Sequence, residues 1–182
     1  MADGHIKGST ILLASGDYFD LLEPESCLGP CLARDIAHAL SNLCRFTGHT
    51  SRFYSVAEHS VFVSRIVPPE DALAGLLHDA AEAFIGDVSS PLKALLPEYR
   101  VIEKRIEAAV LGHFGIRWIP ETVKIADRQM LRKEQREAMG NDDNCSSGLL
   151  MPRDIGPLRF WTPEEAAAFW YYEFLTLTPA AA

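Results

Sequence analysis

The residues best equipped for chemistry lie in one short stretch, Leu76-Leu77-His78-Asp79-Ala80-Ala81-Glu82, which continues through Ile85-Gly86-Asp87. An imidazole and a carboxylate are adjacent, and two more carboxylates follow Asp79 at i+3 and i+8. Leu73, Leu76, Leu77, Ala80, Ala81 and Phe84 recur around them at helical spacing, which predicts a buried helix. Burying an ionised carboxylate beside an imidazole is costly unless something pairs with both. A divalent cation supplies that pairing directly.

The elements that must position these groups are helices. Ser55-Val56-Ala57-Glu58 has the form of a capping box and opens a helix with His59, Val63 and Ile66 on one face. Pro68-Pro69 closes that helix and Pro69-Glu70-Asp71 starts the next, so His59 can meet the His78-Asp79 pair. Pro120 and Glu121 begin a helix through about Met139, with Val123, Ala126, Asp127, Met130 and Leu131 near one face. Upstream, Ile36, Ala39, Leu40 and Leu43 mark a helix from Leu32 to near Cys44, after which Arg45 to His49 leaves the helix at Gly48. Val88 to Lys93 reads as a loop or short helical turn held by Pro91. Glu98 to Phe114 reads as an amphipathic helix with Val101, Ile102, Ile106, Ala109 and Val110 inward, stopped by Gly115. Thr162 caps a last helix ending near Leu177.

The remainder offers little regular structure. Thr10 to Leu13 suits a short strand, Ser15-Gly16-Asp17 a turn, and Tyr18, Phe19, Leu21 and Leu22 can pin the segment to the body. Gly140 to Asn144 is a polar break, followed by a loop from Cys145 to Gly156. The expected fold class is all-α: a single-domain helical bundle over residues 1–182, with a motif-bearing core at about 32–139.

A length of 182 residues suits one domain with a real core, and an apolar fraction of 48% is ordinary for a globular protein. The net charge of −8 argues against a binder of nucleic-acid polymers or of membrane surfaces, which need basic patches. Cys27, Cys31, Cys44 and Cys145 form no paired metal-binding pattern and read as free thiols. The first residues carry Asp3, His5 and Lys7 and no signal-peptide pattern. No apolar run is long enough to span a bilayer. A cytoplasmic location is expected.

Two imidazoles and two carboxylates from three helices, His59, His78, Asp79 and Asp127, are a plausible divalent-metal set with positions left for water and a substrate oxygen. This ordered set resembles the H…HD…D pattern of the HD-domain metal phosphohydrolases. The run His-Asp-Ala-Ala-Glu-Ala-Phe-Ile-Gly-Asp-Val-Ser-Ser-Pro-Leu-Lys from His78 is similar to the branch holding bacterial deoxyribonucleoside 5′-monophosphatases. Compact phage enzymes that dephosphorylate dATP belong to the same group. Residues of about 32 to 134 carry the similarity. The resemblance implies roles for Glu82 and Asp87 in activating or orienting the attacking water, and places Arg45 and Lys93 near the phosphate.

The chemistry is coherent with those roles. Hydrolysis of a phosphate ester requires charge neutralisation and an aligned water. Glu82, one helical turn beyond His78, can accept a proton; Asp87 can assist the leaving oxygen or orient the nucleophile. Arg45 can grip phosphate oxygens bidentately, and Lys93 acts as a point charge. Each has a plain alternative: Arg45 and Lys93 as solvated residues, Asp87 as a cap before Pro91. Phe46 can stack on a base or sugar or simply fill the core, and His49, in a loop, can touch a nucleotide. His38 is not expected to be a ligand. A surface ion pair suffices for Glu134. Trp161, Trp170, Tyr171 and Phe174 suit packing or a subunit interface.

The expected activity is a metal-dependent deoxyribonucleotide phosphohydrolase, with dATP the best specific choice. A broad 5′-nucleotidase on deoxyribonucleoside monophosphates is the alternative, and a catalytically silent nucleotide-binding module the alternative of another class. The cofactor is a divalent cation, Mn²⁺, Co²⁺, Zn²⁺, Fe²⁺ or Mg²⁺. The resemblance implies a homo-oligomer, from dimer to hexamer.

Overall fold

A computed structural model describes residues 8–141 and 155–178. Cys145 and most of the loop expected around it lie outside the described residues. The described part is mostly helical, as the apolar spacing predicts. Its one sheet is a hairpin: β1 (Thr10–Leu12) pairs antiparallel with β2 (Tyr18–Asp20), Ile11 opposite Phe19. Phe19 is fully buried and stacks on Phe84 with ring centroids 3.9 Å apart, so the hairpin is pinned to the short helical segment that follows the His78-Asp79 pair.

The helices are α1 (Leu32–Asn42), α2 (Val56–Ile66), α3 (Ala72–Leu77), α4 (Glu82–Ile85), α5 (Ser90–Leu95), α6 (Pro97–His113), α7 (Glu121–Glu137) and α8 (Pro163–Leu177). Every residue of α2 from Val56 through Ser64 is buried, which makes it the central element, packed by α1, α3, α7 and α8. Its hydroxyls are satisfied within the core: Ser60 donates to the Val56 carbonyl at 3.0 Å and Ser64 to the Ala72 carbonyl at 2.8 Å. A Cβ placed on Gly75 would lie 3.0 Å from the Ser64 Cα. Glycine therefore permits α3 to approach α2 this closely, which brings His78 up to His59.

Four expectations need correction. The helix predicted to run unbroken through His78 and Asp79 is interrupted. Between Leu77 and Glu82 the bonds tighten to i→i+3, with Ala80 N–H on the Leu77 carbonyl and Glu82 N–H on that of Asp79, both 3.0 Å. Side chains three apart eclipse in such a turn, so Glu82 lines up with Asp79 rather than with His78. Second, only half of the expected capping box exists. Ser55 Oγ accepts from Glu58 N–H at 3.1 Å, but the Glu58 carboxylate turns away. It is fully buried and accepts three backbone bonds from Arg159 (2.7 Å), Phe160 (3.0 Å) and Trp161 (2.7 Å). Third, Val101 faces outward at 71% exposure; α6 reaches the core through the partly buried Ile102 and through Ile106, Ala109, Val110 and Leu111. Fourth, Glu134 is not at the surface.

The last helix follows its sequence signals: Thr162 and Glu165 complete a capping box, and α8 packs on α1, α2 and α3. Trp170 is fully buried and stacks on Phe174, while Trp161 stacks on Phe169. Among the described residues, Cys27, Cys31 and Cys44 are free, and no helix is long and apolar enough to cross a membrane.

Candidate metal centre and cleft

His59 projects from the N-terminal half of α2, His78 and Asp79 from the tight turn after α3, and Asp127 from α7. One ligand atom each from His59, His78 and Asp127 lies within 4.8 Å of the others, a spacing that suits a single cation. His59 Nε2 is 3.3 Å from His78 Nε2 and 3.2 Å from Asp127 Oδ1. Asp79 joins at the edge, its Oδ2 3.2 Å from His78 Nε2 and 3.6 Å from His59 Nε2. Both rings have their other nitrogen occupied. His78 Nδ1 donates to the Gly75 carbonyl at 2.8 Å, and His59 Nδ1 lies 2.6 Å from Glu134 Oε1. The two Nε2 lone pairs thus converge on one point beside two carboxylates, a donor set that fits a divalent cation.

The electrostatics agree with that fit. Burial disfavours the charged form of His78, yet Asp79 and Asp127 more than offset it and raise the imidazole to about 9. His59 is raised as well, burial and Arg45 being outweighed by Glu134 and Asp127. Burial opposes ionisation of Asp79, but His78, His59 and Arg45 hold it far below the usual carboxylate range. Without a cation the cluster holds protons between its carboxylates; a cation would take their place, so binding must weaken as pH falls.

Behind the cluster lies a residue that sequence reasoning misassigned. Glu134 is completely buried. Its Oε1 accepts from His59 and from the Tyr54 hydroxyl at 2.9 Å, and its Oε2 from Arg45 Nε at 3.2 Å and Nη2 at 3.0 Å. Burial opposes its charge, but Arg45 and His59 keep it below its ordinary value. A signal was available: Glu134 follows Asp127 by two helical turns and so shares its face. Tyr54 left no such sign.

A cleft of about 400 Å³ opens from the cluster, lined by Arg45, Phe46, Thr47, Asp79, Glu82, Asp87, Lys93, Asp127 and the stretch from Val88 into the first turn of α5. The structure thus brings together all the candidate residues except His49, which is exposed and does not line the cleft. Glu82 is buried, with Oε1 3.4 Å from Lys93 Nζ and Oε2 without a partner among the described residues. Burial, then the charges of Asp79 and Asp87, push it well above its ordinary value. Asp87, half-buried, is also raised, mainly by burial. Lys93 lies between Glu82 and Glu103, 2.5 Å from the latter. Arg45 is not the open fork expected from sequence: its Nε–Nη2 edge is taken by Glu134, leaving Nη1, 3.6 Å from Asp79, toward the cleft. Its guanidinium also lies 5.3 Å from the Phe46 ring centre. Phe46, Thr47 and Gly48 are three successive left-handed residues (φ 54°, 54° and 80°), strained for the first two. A second cavity, of about 520 Å³, lies at the end of α6 beside Trp118; its charged lining includes Lys104, already paired with Glu107, and it holds no comparable cluster.

Two relatives are similar to this chain over about 70% of its length. Uncharacterized protein YfdR of Escherichia coli (strain K12) is 44% identical over 127 residues, covering 69% of this chain and 68% of YfdR. The chain belongs to the YfdR family. Uncharacterized protein RCAP_rcc00048 of Rhodobacter capsulatus is 34% identical over 143 residues, covering 70% of this chain and 72% of that protein. No family model matches the chain. The relatives' names state no activity, so the chemistry of this YfdR-family member rests on its site.

Proposed function

We propose that this chain is an HD-type, metal-dependent phosphohydrolase acting on deoxyribonucleotides, with dATP preferred and deoxyadenosine plus phosphate or tripolyphosphate released. One observation carries the reading: the ligand atoms of His59, His78 and Asp127 converge within 4.8 Å at the head of a cleft that also presents Glu82, Asp87, Arg45 and Lys93. His59, His78 and Asp127 hold the cation (Mn²⁺, Co²⁺, Zn²⁺, Fe²⁺ or Mg²⁺), with Asp79 as the fourth ligand. When bound, that cation supplies Lewis acidity toward a phosphate oxygen and a water molecule.

The protein's own residues do the rest. Glu82, kept out of solvent and close to Asp79, exchanges a proton with the attacking water once positive charge beside Asp79 offsets its raised proton affinity. Asp87 sits at the mouth of the same cleft and orients the water or the leaving oxygen. Arg45 Nη1 and Lys93 Nζ neutralise phosphate oxygens, and Phe46 forms the wall against which sugar or base packs. The working form is a homo-oligomer.

A second reading has a specific observation in its favour. Both cationic side chains of the cleft are already paired, Arg45 with Glu134 and Lys93 with Glu103, and four carboxylates face the same space. That charge inventory suits a monophosphate better than a triphosphate and favours a broad deoxyribonucleoside 5′-monophosphatase. The test uses metal-stripped protein with Mn²⁺, Co²⁺, Mg²⁺ or Zn²⁺ restored, against the four dNMPs, the four dNTPs and their ribose counterparts, read by phosphate release and chromatography. Hydrolysis of dATP well above other triphosphates supports the first reading. Cleavage of dNMPs with inert triphosphates selects the second. Cation binding without hydrolysis of any nucleotide overturns both and leaves a nucleotide-binding module.

A further inference from the structure

We propose that Glu134 is a positioning residue that locks the cation site and the anion-binding arginine to each other through one carboxylate. The inference rests on the phosphohydrolase reading for the role of Arg45, but not for its effect on cation binding. The two oxygens of Glu134 have different tasks. Oε1 accepts the Nδ1 proton of His59 at 2.6 Å, which fixes the tautomer whose Nε2 lone pair faces His78 and Asp127. Oε2 accepts both donors of one guanidinium edge at 3.2 and 3.0 Å, which fixes the plane of Arg45 and leaves Nη1 pointing to the cleft.

A structural ion pair would not need this arrangement. Neutralising Arg45 occupies only one oxygen of the carboxylate. The other is spent on the rear of a ring that faces the cation site, with the Tyr54 hydroxyl at 2.9 Å completing its coordination. A fully buried carboxylate is also expensive to maintain, and an apolar residue of similar volume would serve packing alone at least as well. Glu134 shares α7 with Asp127, two turns away, so one rigid helix carries a ligand and the brace of another ligand. A shift of that helix must disturb His59, Asp127 and Arg45 together.

The test compares wild type, Glu134→Gln and Tyr54→Phe as full-length protein. Cobalt binding is measured by calorimetry and by the visible spectrum of the Co²⁺ form; inorganic phosphate affinity is measured at saturating Co²⁺. Glutamine keeps the shape, but it can offer an N–H to His59 Nδ1 and so favour the wrong tautomer. The expected result is about 10- to 100-fold weaker cobalt binding with an altered spectrum, and weaker phosphate binding even when cobalt saturates. Tyr54→Phe, which loses a bond to the same carboxylate but neither functional one, should lower Tm while leaving the cobalt spectrum intact. A folded Glu134→Gln protein with wild-type cobalt affinity and spectrum overturns the proposal. If that variant does not fold, histidine ¹⁵N NMR of the zinc-loaded wild type decides: a protonated Nδ1 on His59 supports the proposal and an unprotonated one overturns it. Weaker cobalt binding in a protein whose wild type hydrolyses no nucleotide would sink the phosphohydrolase reading and keep the brace.

Discussion

Glu134 and Glu82 are both buried glutamates beside the same cluster, yet they are prepared for opposite work. Glu134 receives four hydrogen bonds across its two oxygens and stays ionised despite complete burial. Glu82 has one long contact to Lys93, an oxygen with no partner among the described residues, and two carboxylates for neighbours, and its proton affinity rises accordingly. Burial alone therefore does not set the charge of a carboxyl group; its partners do. The rear of the site is saturated and rigid, and the front is under-bonded and able to exchange a proton.

The sharpest way to test this contrast is Glu82→Gln. It should lower turnover about 10²- to 10⁴-fold while leaving cobalt affinity unchanged, the reverse of the ranking expected for Glu134→Gln; retained turnover would remove Glu82 from proton transfer. Next comes Arg45→Met, which strands a buried carboxylate. It should cost about 3–5 kcal/mol in urea unfolding, and a loss of less than ~1 kcal/mol would show that the rear network is not held by charge. A smaller effect is expected from pH. Glu82 is a weaker acid folded than unfolded, so between its ordinary and raised values the folded state binds the extra proton and stability falls as pH rises. Metal-free Glu82→Gln should consequently melt above wild type at pH 8, with the gap closing as pH falls toward the ordinary glutamate value of about 4 and gone below it. Smallest is Thr47→Gly, which relieves a left-handed β-branched residue in the cleft wall. It should stabilise the protein by about 1 kcal/mol and raise KM, because the strained turn holds Phe46 in the wall of the cleft proposed to take the substrate.

The helices were legible because their signals are local. Thr162-Pro163-Glu164-Glu165 specifies its own cap, and Ile36, Leu40, Ile106 and Val110 declare their faces by spacing. The hairpin was half legible: the strand and turn could be read at Thr10 to Asp17, but not the partner strand. The cluster of His59, His78 and Asp127 could be read because inner-face polar residues at three helix positions have few places to go. What failed was non-local. Glu58 looks like a local capping residue until the backbone of residues 159–161 arrives to claim it. Glu134 looks like a surface residue unless Arg45, Tyr54 and His59 are known to share its neighbourhood. The break at His78-Asp79 arises in a run of good helix formers with neither glycine nor proline between Leu76 and Ile85, so no residue type announces it.

The Glu58 contact also constrains how the protein is made. Its carboxylate lies beside His59 in the central helix, but the N–H groups that satisfy it are 101 to 103 residues downstream. At ordinary synthesis speeds of about 5–20 residues per second, that separation is a wait of roughly 5–20 s. During this interval α2 cannot settle into its final surroundings, since α8 and the stretch of chain preceding it have not left the ribosome. The cluster of His59, His78 and Asp127 must therefore mature late, after translation has passed Trp161. A nascent chain stalled before that point would display His59 and His78 without the frame that holds them in register.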